Sequence, residues 1–388
     1  MRRRLVAALV ALLVVAGVVV GVVAWTRPDC TLTDTLAEIG TPASTDESAP
    51  DLAALGLTRG HEVRVGGVVE VVSSPEADVV VSVREGGGGM VTGYDAATGA
   101  PRWSIAVPGA GVHIAVADGR VVGATLAEQA RVFGLDAATG ANRFCHGLGT
   151  VDMPSTLVPN SWVPVALVGA TAVTAWTDAA DGPRIGAVDV VTGDERWNVE
   201  GRARALHPAG DAVLTGAGVR YDLTTGTSST LGVEGSLAAA DASHAVLTDS
   251  RAGTLHLADP RVGGLRWTAP LHGRGDGEGS VLAGGAVVTN DFASPGRPDG
   301  LRGLDAATGT MLWERAAEGV TGTSQRLLVA DRATVWAGGI GDLGRFDART
   351  GAGEVVAVRG LRGLSVGGDG RVVVRFADRL VCYTPAPV

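Results

Sequence analysis

Seven aspartates at recurrent spacing are the residues of this 388-residue chain whose type and arrangement first suggest chemistry: Asp95, Asp136, Asp189, Asp222, Asp259, Asp305 and Asp347. Repeated carboxylates can ligate cations, exchange protons or hold turns, and here the neighbours decide for turns. Four residues after each Asp stands a glycine: Gly99, Gly140, Gly193, Gly226, Gly263, Gly309 and Gly351. Threonine precedes that glycine in every copy but the fifth, which has Val262. A carboxylate accepts backbone N–H groups across a tight turn, and glycine takes the positive φ that closes it. Eight residues after the Asp comes Trp103, Phe144, Trp197, Trp267 or Trp313, with Thr230 and Val355 in the other two copies. The aromatic falls on the returning strand, where it covers a neighbouring sheet. These Asp, Gly and aromatic residues are therefore scaffold, not ligand or catalytic sites.

Other motifs fail on context. Gly363-Leu364-Ser365-Val366-Gly367 matches G-x-S-x-G, but a nucleophile elbow needs a strand before it and a helix after it, and here strands lie on both sides. Gly339 to Gly344 matches G-x-G-x-x-G but leads into a strand, so no helix N-terminus can hold a pyrophosphate. Arg274-Gly275-Asp276 sits in a Gly-rich loop and is read as chance. Asp178 and Asp181 flank the loop tip at Gly182-Pro183, which is turn chemistry. The seven histidines show no paired spacing, and His113, His244 and His256 are expected to pack in strands. The three cysteines, Cys30, Cys145 and Cys382, form no CxxC or CxxH pair, so a zinc site has no support. An exported chain can form one disulfide among them, and the sequence leaves the pairing open.

The elements that carry these residues repeat. Two apolar runs precede each hairpin, as in 112–116 with 120–125 and 326–330 with 333–337. Each unit is thus four short strands, a propeller blade. Successive Asp residues are 41, 53, 33, 37, 46 and 42 positions apart, which variable loops on a constant core explain. The tail 380–384 aligns with the strand before an eighth hairpin, but the chain stops at Val388. Residues 61–66 resemble a returning strand and can complete that last blade. The expected fold is all-β: an eight-bladed β-propeller over 61–388, with seven blades as the alternative. Closing the ring would remove exposed sheet edges.

The unit Asp-x-x-Thr-Gly-x-x-x-Trp resembles the repeat of the PQQ-like (quinoprotein-type) propellers, in register over about 61–388. One branch comprises quinone- and calcium-dependent dehydrogenases of alcohols or sugars; the resemblance to that branch implies a stacked quinone, a calcium ion, a catalytic Asp and, in many members, adjacent cysteines. No adjacent cysteine pair exists, no Asp/Glu/Asn calcium constellation is legible, and the chain is short for those enzymes. The BamB-like branch implies a propeller that binds protein partners and holds no quinone. That branch fits the size, so the expectation is no cofactor, no metal and no catalytic residue.

Charge and topology add to this. The formal charge is −9, and −12 once Arg2, Arg3 and Arg4 are set aside, which disfavours a nucleic-acid partner. The chain contains 58 glycines, as a protein of many tight turns would. Leu5 to Trp25 is an uncharged apolar run whose length as a helix, about 31 Å, spans a bilayer core. With residues 1–4 as a basic cytoplasmic flank, 5–25 is read as a transmembrane anchor with the propeller outside the cytoplasmic membrane; cleavage after Ala24 as a signal peptide is the alternative. Residues 26–60, polar and Pro-bounded, are expected to be a flexible linker.

Long insertions, 147–163 and 291–300, belong to the propeller face that carries inter-blade loops and the loops between second and third strands. They supply Trp162, Phe292, Arg297 and Asp299 as candidate partner-binding residues, since exposed aromatics and Arg anchor interfaces. The expected role is a protein-interaction scaffold or sensor, with the dehydrogenase, or a carbohydrate or cell-wall binding module, as alternatives.

Overall fold

The computed structural model describes residues 32–34, 49–150 and 164–386, apart from connecting stretches at 66–67, 75–77, 86–87, 96, 108–109, 127–128, 272–278, 292–299, 317–326, 340 and 368. The described residues are almost entirely strand, with one 3-10 turn at Ala53–Leu55. They form eight antiparallel sheets. The second illustrates the unit: Ala110–Ala117, Arg120–Leu126, Gln129–Asp136 and Asn142–Thr150 pair in chain order. The others span 68–107, 165–200, 206–230, 236–270, 280–316, 327–357 and 363–385. The first strand of each sheet contacts the first strand of the next, and the last of these, Gly363–Val366, contacts Val68–Ser74 of the first sheet. The sheets therefore stand around a common axis with a closed ring of inner strands, which is the arrangement of a propeller.

The apolar core lies between sheets. Val91, Trp103 and Ile105 of the first sheet pack with Val112, Phe133 and Leu135 of the second. Phe144 of the second packs with Ala172, Trp176 and Val188 of the third, and similar clusters follow around the ring. Each sheet is thus buried on both faces, which is why its second and third strands read as near-continuous apolar runs rather than alternating ones. Strand Thr171–Asp178, for example, buries six consecutive residues from Thr171 to Trp176.

The eighth sheet is made from both ends of the chain. Leu57–Arg64 pairs antiparallel with Arg379–Pro385, from Leu57 opposite Pro385 to Arg64 opposite Arg379. The domain therefore begins before residue 61. Leu52, Leu55 and Leu57 are buried against Trp336, Leu343, Val358 and Tyr383. This corrects the reading of 26–60 as linker at its C-terminal end. The eighth sheet has no Asp-Gly hairpin, and the apolar 3-10 turn fills the gap where one would sit. A second piece of the linker is also docked: Thr33–Asp34 pairs with Pro101–Val107 at the outer edge of the first sheet. The rest of the linker, the 1–4 flank and the 5–25 anchor lie outside the described residues. Among the described residues no helix is long and apolar enough to cross a membrane.

Ser365 lies in the inner strand Gly363–Val366 and accepts the backbone N–H of Ser73 at 3.2 Å, joining the eighth sheet to the first. His113 and His256 lie in strands, as expected. His244 differs: it closes the turn begun by Asp241, whose carboxylate accepts its backbone N–H at 2.7 Å.

Glycine has two distinct uses in these turns. Gly119 and Gly140 both have φ near +70°, but a Cβ at Gly119 would meet open space and one at Gly140 would lie 2.6 Å from Trp103 Cγ. Gly119→Ala is expected to cost about 1 kcal/mol for the left-handed backbone. Gly140→Ala adds overpacking against the indole, for a total of about 3 kcal/mol. Urea unfolding of the two variants measures the difference.

Candidate functional site

The aspartates that open the sequence argument sit at the hairpins joining third and fourth strands. In each copy the Asp N–H and C=O close the turn on the chain five and four residues ahead, as in Asp136 N to Ala141 O at 2.9 Å and Gly140 N to Asp136 O at 2.8 Å. Asp136 Oδ1 accepts the backbone N–H of Ala138 and of Thr139 and the hydroxyl of Thr139 at 2.9 Å. Its other oxygen accepts from Arg143 at 2.6 Å. Asp95, Asp189 and Asp259 pair in the same way with Arg102, Arg196 and Arg266 at 2.6, 2.5 and 2.6 Å. Asp305 instead meets Arg349 of the following sheet at 3.3 Å. This arginine, passed over in the sequence, stands seven residues after the Asp in four of the seven copies and could have been found from that spacing.

The aromatic eight residues after the Asp reaches the next sheet. Trp103, Trp197, Trp267 and Trp313 donate their indole N–H to the carbonyls of Ala137, Leu223, Ala306 and Ala348 at 2.8–3.0 Å. Every acceptor is the residue directly after the next sheet's hairpin Asp. The same rings lie against that hairpin's glycine: Trp103 on Gly140, Phe144 on Gly193, Trp197 on Gly226, Trp267 on Gly309 and Trp313 on Gly351. At the junction of last and first sheets His61 stands in this place, against Gly99. That role of His61 was not visible in the sequence, because no Asp precedes it at the repeat spacing.

These contacts hold the hairpin carboxylates well below the ordinary aspartate value of 3.8. For Asp95, Asp136, Asp189 and Asp259 the paired arginine is the leading cause; for Asp305 and Asp347 it is the threonine hydroxyl, and for Asp222 the backbone N–H of Thr225. A general acid or base working near neutrality needs the opposite shift. Chemically, the repeat residues serve turns and inter-sheet contacts.

The opposite face is reached by the loops between second and third strands and by the inter-sheet connections, because alternating antiparallel strands bring both to one edge. The two insertions leave from there: one follows Asn142–Thr150 of the second sheet, the other joins Ala286–Asp291 to Gly300–Asp305 of the sixth. In the ring order the second and sixth sheets lie on opposite sides of the axis. Residues 147–150 are strand rather than loop, so the first insertion begins at 151. Trp162, Phe292, Arg297 and Asp299 fall outside the described residues, as does Arg274-Gly275-Asp276.

Where the eighth, first and second sheets meet, the inner strands of the first two and the second strand of the eighth carry a small charged group. Glu70 Oε2 accepts the backbone N–H of Ile114 at 2.8 Å and lies 3.5 Å from His113 Nδ1. Arg375 donates to the Arg362 carbonyl at 2.9 Å; burial lowers its guanidinium pKa, Arg362 adds to that and Glu70 opposes it. Among the described residues no three His, Cys, Asp or Glu side chains gather as a metal site.

The depressed carboxylates make stability acid-sensitive. A carboxylate whose folded pKa lies below its unfolded value contributes stability above the unfolded value and loses it as pH falls through the folded one. The carboxylate contribution to the urea midpoint should therefore hold between pH 7 and 5 and be lost as the pH drops below about 4. Asp136→Asn and Asp189→Asn should lower the midpoint at pH 7 and flatten the acid decline.

The profile of the family described as outer membrane protein assembly factor BamB matches residues 40–200 and again 181–363. Among solved structures, BamB from Moraxella catarrhalis superposes with a TM-score of 0.58 at 18% identity, covering 84% of this chain and 97% of that one. The C-terminal WD40 domain of Sif2 superposes at 0.59 with 13% identity, covering 84% of this chain and 98% of its own. The Pan2 WD40 domain of Neurospora crassa gives 0.50 at 9%, covering 88% and 98%. At these identities the superpositions speak for the propeller fold alone. No curated protein matches the sequence. The in-register Asp-x-x-Thr-Gly hairpins, the ring of sheets and the family match over most of the chain lead to one conclusion: the protein belongs to the PQQ-like, BamB-type propeller family.

Proposed function

We propose that this chain is a non-catalytic scaffold: an eight-bladed propeller, anchored by residues 5–25 and displayed outside the cytoplasmic membrane, that holds a protein partner on its long-loop face. The observation that carries this reading is the division of labour between the faces. The repeated Asp, Arg, Thr and Trp side chains of the hairpin edge are engaged in turns and inter-sheet hydrogen bonds. The long insertions leave from the opposite edge, where length is free to vary without touching those contacts. The family description, an outer membrane protein assembly factor, names a role in handling other proteins, which agrees with this reading.

The quinone-dependent alternative is disfavoured by its donor chemistry. Calcium takes six to eight oxygen ligands, several of them carboxylates. Glu70, on the inner strand of the first sheet, already accepts a backbone N–H and lies 3.5 Å from His113. The described residues do not fit the calcium and quinone, and no oxidation step is derived through them.

The double variant Trp162→Ala with Phe292→Ala is expected to lose its partner in cross-linking on intact cells while its thermal unfolding stays unchanged. Undiminished capture by a folded double variant refutes the long-loop reading. Dye-linked oxidation of alcohols and sugars, assayed on the wild-type protein with added quinone and calcium, is expected to stay at background.

A further inference from the structure

We infer that the junction of the seventh and eighth blades holds a site for the headgroup of a small free α-amino acid, with Arg345 taking the carboxylate and Asp331 the ammonium. This site is independent of the long-loop face proposed above. The repeat runs out at this junction on both sides. Val355 stands where five blades carry an aromatic ring, and the eighth blade has no Asp-Gly hairpin to receive one. The turn at Ala53–Leu55 fills the place incompletely and leaves a cavity of about 60 Å³. It is lined by Gly56 of the N-terminal segment, by Asp331, Thr334, Trp336 and Arg345 of the seventh blade, and by Gly370 of the eighth. That volume takes about four water molecules, which is the size of glycine.

Charge decides what fits. Arg345 donates from Nη1 to the Leu55 carbonyl at 2.8 Å, and its guanidinium carbon lies 5.5 Å from the centre of the buried Trp336 ring. Gly56 has no Cβ to crowd it; one built there would lie 3.0 Å from Nη1. The bond and the stack fix the guanidinium plane. The other edge of the fork is uncommitted, with the geometry that takes a carboxylate through two parallel N–H bonds. Asp331 ends the first strand of the blade, Leu327–Asp331, and Arg345 lies in the third, Asp342–Asp347. The second strand, Thr334–Gly338, runs between them, so their backbones are about 10 Å apart. Among the described residues neither side chain has an ion-pair partner, and they do not pair with each other. Two opposite charges in one small cavity, held apart by the sheet, match a ligand that carries both. The Thr334 hydroxyl lies beside them, with no hydrogen bond among the described residues. A peptide C-terminus brings a carboxylate without an ammonium, and an N-terminus the reverse, so the free amino acid is what satisfies both. It touches the N-terminal segment and both blades at once. A ligand held only by the closed ring stabilises closure.

The test titrates the full-length protein with glycine and L-alanine by calorimetry and follows thermal unfolding. Both amino acids should bind saturably at one site per chain and raise the unfolding temperature. Acetate and methylamine each carry one of the two charges and should bind at least about tenfold more weakly, as loss of a charge-assisted contact implies. Asp331→Asn removes a carboxylate that makes no bond in the unliganded protein. It should leave unliganded stability unchanged while weakening glycine by the same factor. Arg345→Gln should also lose glycine, but it gives up the Leu55 contact and lowers the unfolding temperature by itself, so Asp331→Asn is the deciding variant. Absence of both heat and thermal shift with either amino acid overturns the site, as does glycine binding unchanged by Asp331→Asn. Acetate or methylamine binding as tightly as glycine overturns the two-charge recognition.

Discussion

One contact organises the molecule: an aromatic ring on the outer strand of one sheet, seated on the hairpin glycine of the next and donating its indole N–H to the adjacent carbonyl. Every other feature of the repeat serves that seat. The Asp carboxylate gathers two backbone N–H groups and, in most copies, the threonine hydroxyl, so the turn has one conformation. The turn sets the glycine at positive φ with no Cβ, leaving room for the ring. The residue after the Asp is bonded back to the turn between its own blade's first two strands, as Ala137 N is to Gly119 O, so the carbonyl that receives the indole is itself held. Burying each ring contributes about 2 kcal/mol from area alone, and an indole hydrogen bond adds about 1 kcal/mol.

A ring built from such contacts must also close, and closure is where the repeat departs from itself. The last blade takes its outer strand from residues 57–64, so one sheet joins the two ends of the chain. His61 occupies the aromatic seat over Gly99, and the turn at Ala53–Leu55 replaces the missing hairpin. Around that turn Arg345 donates to the Leu55 carbonyl and lies over Trp336, and the Tyr383 hydroxyl donates to the Pro50 carbonyl. Burial raises the Tyr383 pKa, which keeps that hydroxyl a donor. The N-terminal segment from Ala49 to Arg64 is therefore part of the domain's cohesion.

This architecture separates stability from recognition. The Asp-Gly hairpins occupy one edge of seven blades, whereas connections of variable length leave from the other. Exposed apolar side chains on the hairpin edge, such as Val191 and Val262, are single turn residues rather than a groove.

The sequence by itself determined what is local and repeated: the Asp-Gly hairpins, the strand count per unit, the aromatic on the returning strand and the supply of a closing strand from the N-terminus. The hairpins depend on interactions spanning fewer than ten residues, and seven copies make the pattern self-checking, whereas the closing strand was legible by its likeness to a returning strand. The tertiary structure alone decided the rest. Leu52, Leu55 and Leu57 look like the end of a polar tether until the empty hairpin place of the last blade is set beside them, nearly 300 residues away in the chain. His61 acquires its seat only when the two ends meet, and Glu70 meets His113 only across the inner strands of neighbouring sheets. Contacts at such separations leave no spacing in the sequence to read, because the geometry that makes them neighbours is the closure of the ring.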